Sequence, residues 1–276
     1  MRNLLSGSIL VLGASLLFSA LTNAQTPAPQ PSRRYGPADL YQKLGDIGPG
    51  SPAPGRDLTG FWATAAAQKL NEIPPMTPWG QEQFRAHKNQ SEYPVAESND
   101  PLKTCDPMGF PRATLYQVRG VGFAQMPGKM LELFQFNRVW REIWTDGRGL
   151  PKSVGGNSAD SADPRWYGYS VGHWEDDYTF VVDTVGSDDR SWLDIAGHPH
   201  SIDLHVQERY RRVDHNNLEL AITIDDPKTY TKPFVITNAK FRWIPEQDFE
   251  EQICVPSEML EYLNVIANPA GEVKTK

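Results

Sequence analysis

Cysteine and net positive charge are both scarce in this chain of 276 residues, which contains 2 cysteines and carries a formal charge of -7. Two cysteines exclude a disulfide-dense scaffold and a zinc site built from four cysteines. The acidic balance argues against nucleic acid as a partner, because a phosphate backbone is bound by clustered Lys and Arg. The sequence also lacks Gly-x-Gly-x-x-Gly and a Gly-Lys-Ser/Thr phosphate loop, so we expect no nucleotide cofactor and assign no cofactor at all.

Long hydrophobic runs are confined to the N-terminus, where one basic residue precedes an apolar stretch from Leu4 to Leu21. This order predicts a secretory signal peptide over residues 1–24, and an uncleaved anchor is the alternative. After it we predict a Pro/Gly-rich linker over 25–56, a folded domain over 57–256 and a C-terminal tail over 257–276. We therefore expect an exported protein, periplasmic or extracellular, with no stable membrane insertion after cleavage.

The two cysteines, Cys105 and Cys254, are expected to form a disulfide if the protein is exported, because exported proteins fold in an oxidising compartment. Two free buried thiols are the alternative.

Between residues 58 and 255, apolar and polar residues alternate with a period of two, as in Leu218, Leu220, Ile222 and Ile224. Turn-forming residues separate these runs, which predicts roughly eight to ten antiparallel strands joined in sequence order. One short helix is expected at 77–87, with Thr77 as its cap. An all-β meander of this kind removes its edges by closing into an up-and-down barrel, and a β-sandwich is the alternative.

The first predicted strand contains Gly60-Phe61-Trp62, which resembles the Gly-x-Trp entry of lipocalin-like (calycin) barrels. The resemblance implies that Trp62 closes the narrow end of a barrel, and an ordinary core tryptophan is the alternative. Longer blocks resemble a large family of exported bacterial proteins that has no settled activity. These blocks lie at residues 105–112, 163–174, 191–201 and 223–233. This second resemblance implies export and no particular reaction.

Ionisable side chains are densest between residues 188 and 208, in the region between two predicted strands. His200 is the candidate catalytic group, because imidazole titrates nearest to neutral pH, with Asp194 orienting its ring and Glu208 assisting. A purely structural role for His200 and Asp194 is equally open. Ser201 is not expected to act as a nucleophile for His200, because adjacent residues rarely present their side chains to each other.

A metal site is a further reading of the same region. His198 and His200, followed by His205 and Glu208, superficially resemble the His-x-His and later Glu ligands of cupin metal sites. The sequence does not show that these side chains converge, and we expect no bound metal.

Glu208 falls on the apolar face of its predicted strand, beside Val206 and Tyr210. A carboxylate at such a position needs a charged partner or a raised pKa, because burying an unpaired charge is costly. Arg141 is one candidate partner, and Arg211 and Arg212 are the others.

The candidate ligand-binding residues are aromatic side chains together with one arginine and one histidine: Trp144, Trp166, Tyr167, Trp192, Arg141 and His205. If these residues line a cavity, it suits a flat or largely apolar molecule with Arg141 or Arg165 binding an anionic group. Packing in the core is the alternative for each tryptophan. Two functions follow from these residues. The first is a cofactor-independent acid–base enzyme of lyase, isomerase or hydratase type, and the second is a non-catalytic carrier of a small hydrophobic ligand.

Overall fold

The computed structural model describes residues 50–64, 70–115, 120–245 and 251–272. The predicted signal peptide and most of the predicted linker lie outside these residues. The described chain contains nine strands that close into one barrel in sequence order. Their bounds are β1 Gly60–Thr64, β2 Val121–Met126, β3 Lys129–Phe134, β4 Val139–Trp144, β5 Tyr169–Trp174, β6 Thr179–Val185, β7 His205–Arg212, β8 Asn217–Asp225 and β9 Phe234–Trp243. The predicted all-β barrel is confirmed.

One pair of neighbouring strands departs from the predicted antiparallel pattern, because β4 and β5 run parallel. Strictly alternating directions cannot close around nine strands, since an odd number leaves one neighbouring pair running the same way. The parallel pair is joined by the long connection 145–168 instead of a hairpin, as parallel strands require. Its ladder is short, with only Ile143 opposite Ser170 and Trp144 opposite Val171. We call this junction the seam.

Helices are few among the described residues, and the one predicted from sequence is present. Helix α1 spans Pro78–Ala86, and Thr77 caps it by accepting a hydrogen bond from the Gly80 amide at 3.1 Å. A 3-10 helix covers Pro101–Thr104 and the short helix α2 covers Arg112–Leu115. Where we predicted a tail, the chain is helical: α3 Pro256–Tyr262, a π-helical turn Leu263–Ala267 and α4 Asn268–Glu272. We find no helical segment in the described chain with the length and hydrophobicity of a membrane span.

The barrel interior is filled by apolar side chains, as the alternating strand pattern requires. Strand β8 shows this most clearly, because Leu218, Leu220, Ile222 and Ile224 are all buried and the residues between them are not. The same inward faces also hold several charged residues, which position the site described below.

Trp62 on β1 lies fully buried at the end of the barrel where β7 terminates. Its indole nitrogen donates to the Leu58 carbonyl at 2.9 Å, and the Arg212 guanidinium lies over its ring at 5.0 Å. Arg212 in turn donates to the carbonyls of Asp57 and His215. The tryptophan and the arginine thus pack against each other at this end of the barrel.

Cys105 and Cys254 form the expected disulfide, with their Cα atoms 5.5 Å apart and a sequence separation of 149. Beside the bond, the Cys254 amide donates to the Asn137 side chain at 2.7 Å, and the Asn137 amide donates to the Gln252 carbonyl. The disulfide therefore attaches the C-terminal helical segment to the loop before α2.

Candidate functional site

A polar cluster lies inside the barrel, formed by Glu132 on β3, Arg141 on β4, and Glu208 and Tyr210 on β7. The Arg141 Nε donates to Glu132 Oε2 at 2.6 Å, and its Nη2 donates to Glu208 Oε2. The Tyr210 hydroxyl lies 2.6 Å from Glu208 Oε1 and 3.0 Å from Glu132 Oε1. Arg141 is thus the partner of Glu208, and Arg212 lies elsewhere, beside Trp62.

The remaining donors of Arg141 reach across the seam. Its Nη1 lies 3.3 Å from Ser170 Oγ on β5 and 3.2 Å from Thr184 Oγ1 on β6. The Phe110 ring covers the guanidinium, 3.8 Å from its carbon atom. One arginine therefore connects the inward faces of strands on both sides of the seam.

Electrostatics in this cluster follow from its burial. Burial raises the pKa of Glu208 to about 7, although the charge of Arg141 acts in the opposite direction. Burial also raises the pKa of Tyr210 well above its usual value, with the two carboxylates adding to the effect. Burial alone would lower the pKa of Arg141, but the charges of Glu132 and Glu208 raise it, so the guanidinium stays protonated.

A cleft of about 820 Å³ lies along the seam, between β4 and the chain segments 148–151 and 164–171. Its lining includes five aromatic residues: Trp140, Trp144, Trp166, Tyr167 and Tyr169. Arg141 and Ser170 line it as well, which places the cleft against the buried polar cluster. Four of the six predicted ligand-binding residues meet here, namely Trp144, Trp166, Tyr167 and Arg141.

Besides Arg141, three cations lie at or near the cleft, and they differ in whether a carboxylate neutralises them. Arg148 is paired with Asp146 and lies over the Trp144 ring at 3.4 Å. Lys129 lies 4.1 Å from the same ring and is paired with a neighbouring glutamate. Arg165 is exposed and lies over the Tyr169 ring at 4.0 Å, and it has no carboxylate partner among the described residues.

The other two predicted ligand-binding residues lie away from the cleft. Trp192 is buried, stacked on His87 with ring centroids 4.5 Å apart, and the Arg112 guanidinium lies 5.4 Å from its ring. His205 is bonded through Nε2 to Asp183 at 2.9 Å. Both residues serve local packing and hydrogen bonding.

The predicted catalytic residues are not brought together. We expected Asp194 to orient His200, but its Oδ2 lies 2.6 Å from Nδ1 of His198 instead. His200 is buried; its Nδ1 donates to the Ser201 carbonyl at 3.0 Å and its Nε2 lies 3.0 Å from Ser191 Oγ. Burial lowers the pKa of His200, so its imidazole is neutral at pH 7. Glu208, inside the barrel, belongs to the separate Arg141 cluster.

The histidines considered as metal ligands have different partners and do not converge with Glu208. Within the described residues there is no group of three or more His, Cys, Asp or Glu side chains that could hold a metal ion.

The sequence analysis missed Glu132, a member of the cluster, and Ser170, which contacts Arg141, although the sequence carries a signal at each position. Glu132 alternates with Met130 and Phe134 on β3, the same signal that identified Glu208. Ser170 lies in Gly168-Tyr169-Ser170-Val171-Gly172, which fits the Gly-x-Ser-x-Gly pattern of hydrolase nucleophiles. It is nevertheless buried within β5 and bonded to Thr184 at 2.8 Å, with no histidine as its partner, so the pattern does not form a nucleophile elbow here.

Comparison with known proteins found no family model that matches the chain and no match among curated proteins.

Proposed function

We propose that this protein is an exported ligand-binding protein that holds a small planar organic molecule with an anionic group in the seam cleft. The observation that carries the proposal is the cleft of about 820 Å³, which combines aromatic residues with Arg165, a cation that has no carboxylate partner in the described part of the chain. A volume of this size suits a drug-sized molecule, and aromatic walls with one or two charged groups are typical of such sites.

Each part of the ligand matches a part of the cleft. Trp140 is 60% exposed, so its ring is free to stack on a planar molecule. The anionic group is expected to bind Arg165, because Arg148 is already neutralised by Asp146. Arginine is suited to this role, since its planar fork donates two hydrogen bonds to a carboxylate or sulfonate.

The disulfide between Cys105 and Cys254 supports export, because such bonds persist in oxidising compartments. The leader predicted over residues 1–24 supports the same conclusion from the sequence.

The binding proposal is tested with tryptophan fluorescence during titration with benzoate, 2-naphthoate and benzenesulfonate, and with neutral 2-naphthamide as a matched comparison. We expect the anions to bind and the amide to bind more weakly. Replacement of Arg165 by Gln is expected to weaken anion binding roughly tenfold or more, because a hydrogen bond to a charged group contributes about 1.5–3 kcal/mol. The control is Arg211→Gln, an exposed arginine on β7 outside the cleft. Equal affinities of Arg165→Gln and wild type for every anion would contradict the proposal.

Acid–base catalysis is the second candidate function, favoured by one observation. Arg141 lines the cleft and also binds Glu208, whose pKa near 7 suits proton transfer at neutral pH. In this alternative Glu208→Gln keeps the affinity for the anionic probes but abolishes any turnover of a bound compound. The binding function ranks first because Glu208 is fully buried and held by two neighbours.

A further inference from the structure

The polar cluster inside the barrel contains two carboxyl groups and one cation. Glu132 and Glu208 both contact Arg141, and all three side chains are at most 4% exposed. The other groups facing them are uncharged at neutral pH: the phenol of Tyr210 and the hydroxyls of Ser170 and Thr184. Among the described residues, no second cation contacts either carboxyl group. If both carboxyl groups were ionised, the barrel would enclose one uncompensated negative charge, which is expensive in a dry interior.

The number of hydrogen atoms available for hydrogen bonds in the cluster also indicates that one of the two carboxyl groups is protonated. The Tyr210 hydroxyl lies within hydrogen-bonding distance of both Glu208 Oε1 and Glu132 Oε1, at 2.6 and 3.0 Å. A phenol has one hydrogen, so it can donate to only one of these oxygens in a well-aligned bond. The second contact is attractive only if the other carboxyl group carries a hydrogen and donates it to the phenol oxygen.

We infer that the barrel interior is a proton-binding site, in which one proton held among Glu132, Glu208 and Tyr210 neutralises the cluster. With this proton in place, one guanidinium faces one carboxylate, and both contacts of the tyrosine are hydrogen bonds. The raised pKa of Glu208, about 7, agrees with this assignment.

The proton gives the fold a response to pH. When it leaves, Glu132 on β3 and Glu208 on β7 repel each other across the barrel while sharing a single arginine. The side-chain contacts that link the strands around the seam are then weaker. The folded state is therefore expected to be more stable in mildly acidic than in alkaline solution.

Infrared spectroscopy of the full chain tests the inference directly. At pH 6 surface carboxyl groups are ionised, because their ordinary pKa values lie near 4. We expect wild type at pH 6 to retain the carbonyl absorption of a protonated carboxyl group. The absorption should disappear in Glu208→Gln and in Glu132→Gln, because either change leaves one carboxylate for one guanidinium. It should persist in the control Glu219→Gln, which alters a half-buried residue on β8 whose carboxylate pairs with Arg211 at the surface. Absence of the absorption from wild type, or its persistence in either of the two cluster variants, overturns the inference.

Thermal unfolding gives an independent measurement on the same variants. At pH 8 each single variant should melt no lower than wild type, because it carries no excess charge. The double variant, with glutamine at both positions, should melt lower than either single variant, because Arg141 then has no counter-ion. A double variant as stable as the single ones overturns the inference. If a single variant does not fold, the wild-type absorption at pH 6 still decides.

Discussion

Replacement of Arg141 by methionine is expected to be among the most destabilising changes in this barrel. Methionine keeps much of the apolar volume of the arginine stem but removes the hydrogen bonds to Glu132, Glu208, Ser170 and Thr184. Removing one partner of a buried ion pair costs about 3–5 kcal/mol, because the charge that remains is buried without compensation. We expect a loss of unfolding free energy in this range at pH 8.

The loss should depend on pH with a definite sign. Without the guanidinium, both carboxyl groups can stay inside the barrel only as neutral acids. Each proton that the folded state must hold costs about 1.4 kcal/mol for every pH unit above the unfolded pKa. Wild type holds one such proton up to the pKa of Glu208, about 7, whereas the variant must hold two. The destabilisation is therefore larger at pH 8 than at pH 5.

Urea unfolding followed by tryptophan fluorescence at both pH values measures this difference. Arg211→Met is the matched control, because Arg211 is 64% exposed on β7 and lies 3.6 Å from Glu219 in a surface pair. Such a change is expected to stay within about 0.5 kcal/mol. A loss below about 1 kcal/mol for Arg141→Met at pH 8, or equal losses at both pH values, would refute this account of the cluster.

Four further outcomes are expected. In wild type, burial raises the pKa of Glu208 in the folded state, so this residue stabilises the fold fully below its unfolded pKa, and the contribution is lost as pH rises through about 7. The free energy of unfolding should fall by roughly 3 kcal/mol in all, and urea titrations that show no decline between pH 5 and 8 argue against this. Replacing both cysteines with serine opens a loop of 149 residues and should cost up to about 5 kcal/mol, read as a lower thermal midpoint, and an unchanged midpoint means that the bond does not constrain the unfolded chain. Asp226 accepts four buried hydrogen bonds, from the backbone N–H and hydroxyl groups of Ser201 and Thr229. Asp226→Ala should lower the free energy of unfolding by roughly 3 kcal/mol, and a thermal midpoint equal to that of wild type contradicts a structural role. Gly109 has φ +74°, and a Cβ there would lie 2.3 Å from Ser191 Oγ. Gly109→Ala should therefore lower the free energy of unfolding in urea by roughly 2 kcal/mol, and a variant as stable as wild type would contradict the contact.

The barrel itself could be predicted from the sequence because its signal is local. The alternation of Leu218, Leu220, Ile222 and Ile224 predicted the strand observed as β8, since alternation of buried and exposed residues is set by the geometry of a strand. The parallel seam could not be found in this way. Its direction depends on how many strands close the barrel, and the connection 145–168 carries no alternating pattern that reveals where it returns.

In the candidate site, too, residues on strands could be predicted from the sequence and residues in loops could not. Arg141 was one of three arginines predicted as possible partners of Glu208, because a carboxylate on an apolar strand face needs an opposite charge inside the barrel, and the structure shows that it is the partner. The same rule applied to β3 would have found Glu132. The partners of His200 and Asp194 lie in a loop, where side-chain direction is set by each backbone dihedral and not by a period. Asp194 accordingly holds His198, four residues away, and His200 bonds to Ser191.

The position of the polar cluster explains how the barrel can carry a cleft at its shortest ladder. The seam joins β4 and β5 through two residue pairs only, so backbone hydrogen bonds contribute less there than between the other strands. Arg141 on β4 offsets this by bonding to Glu132 on β3, Ser170 on β5, Thr184 on β6 and Glu208 on β7. A buried ion cluster is usually weak evidence for stability. Here it links five consecutive strands across the seam, so the hydrogen bonds of one side chain supplement the short backbone ladder beside the cleft.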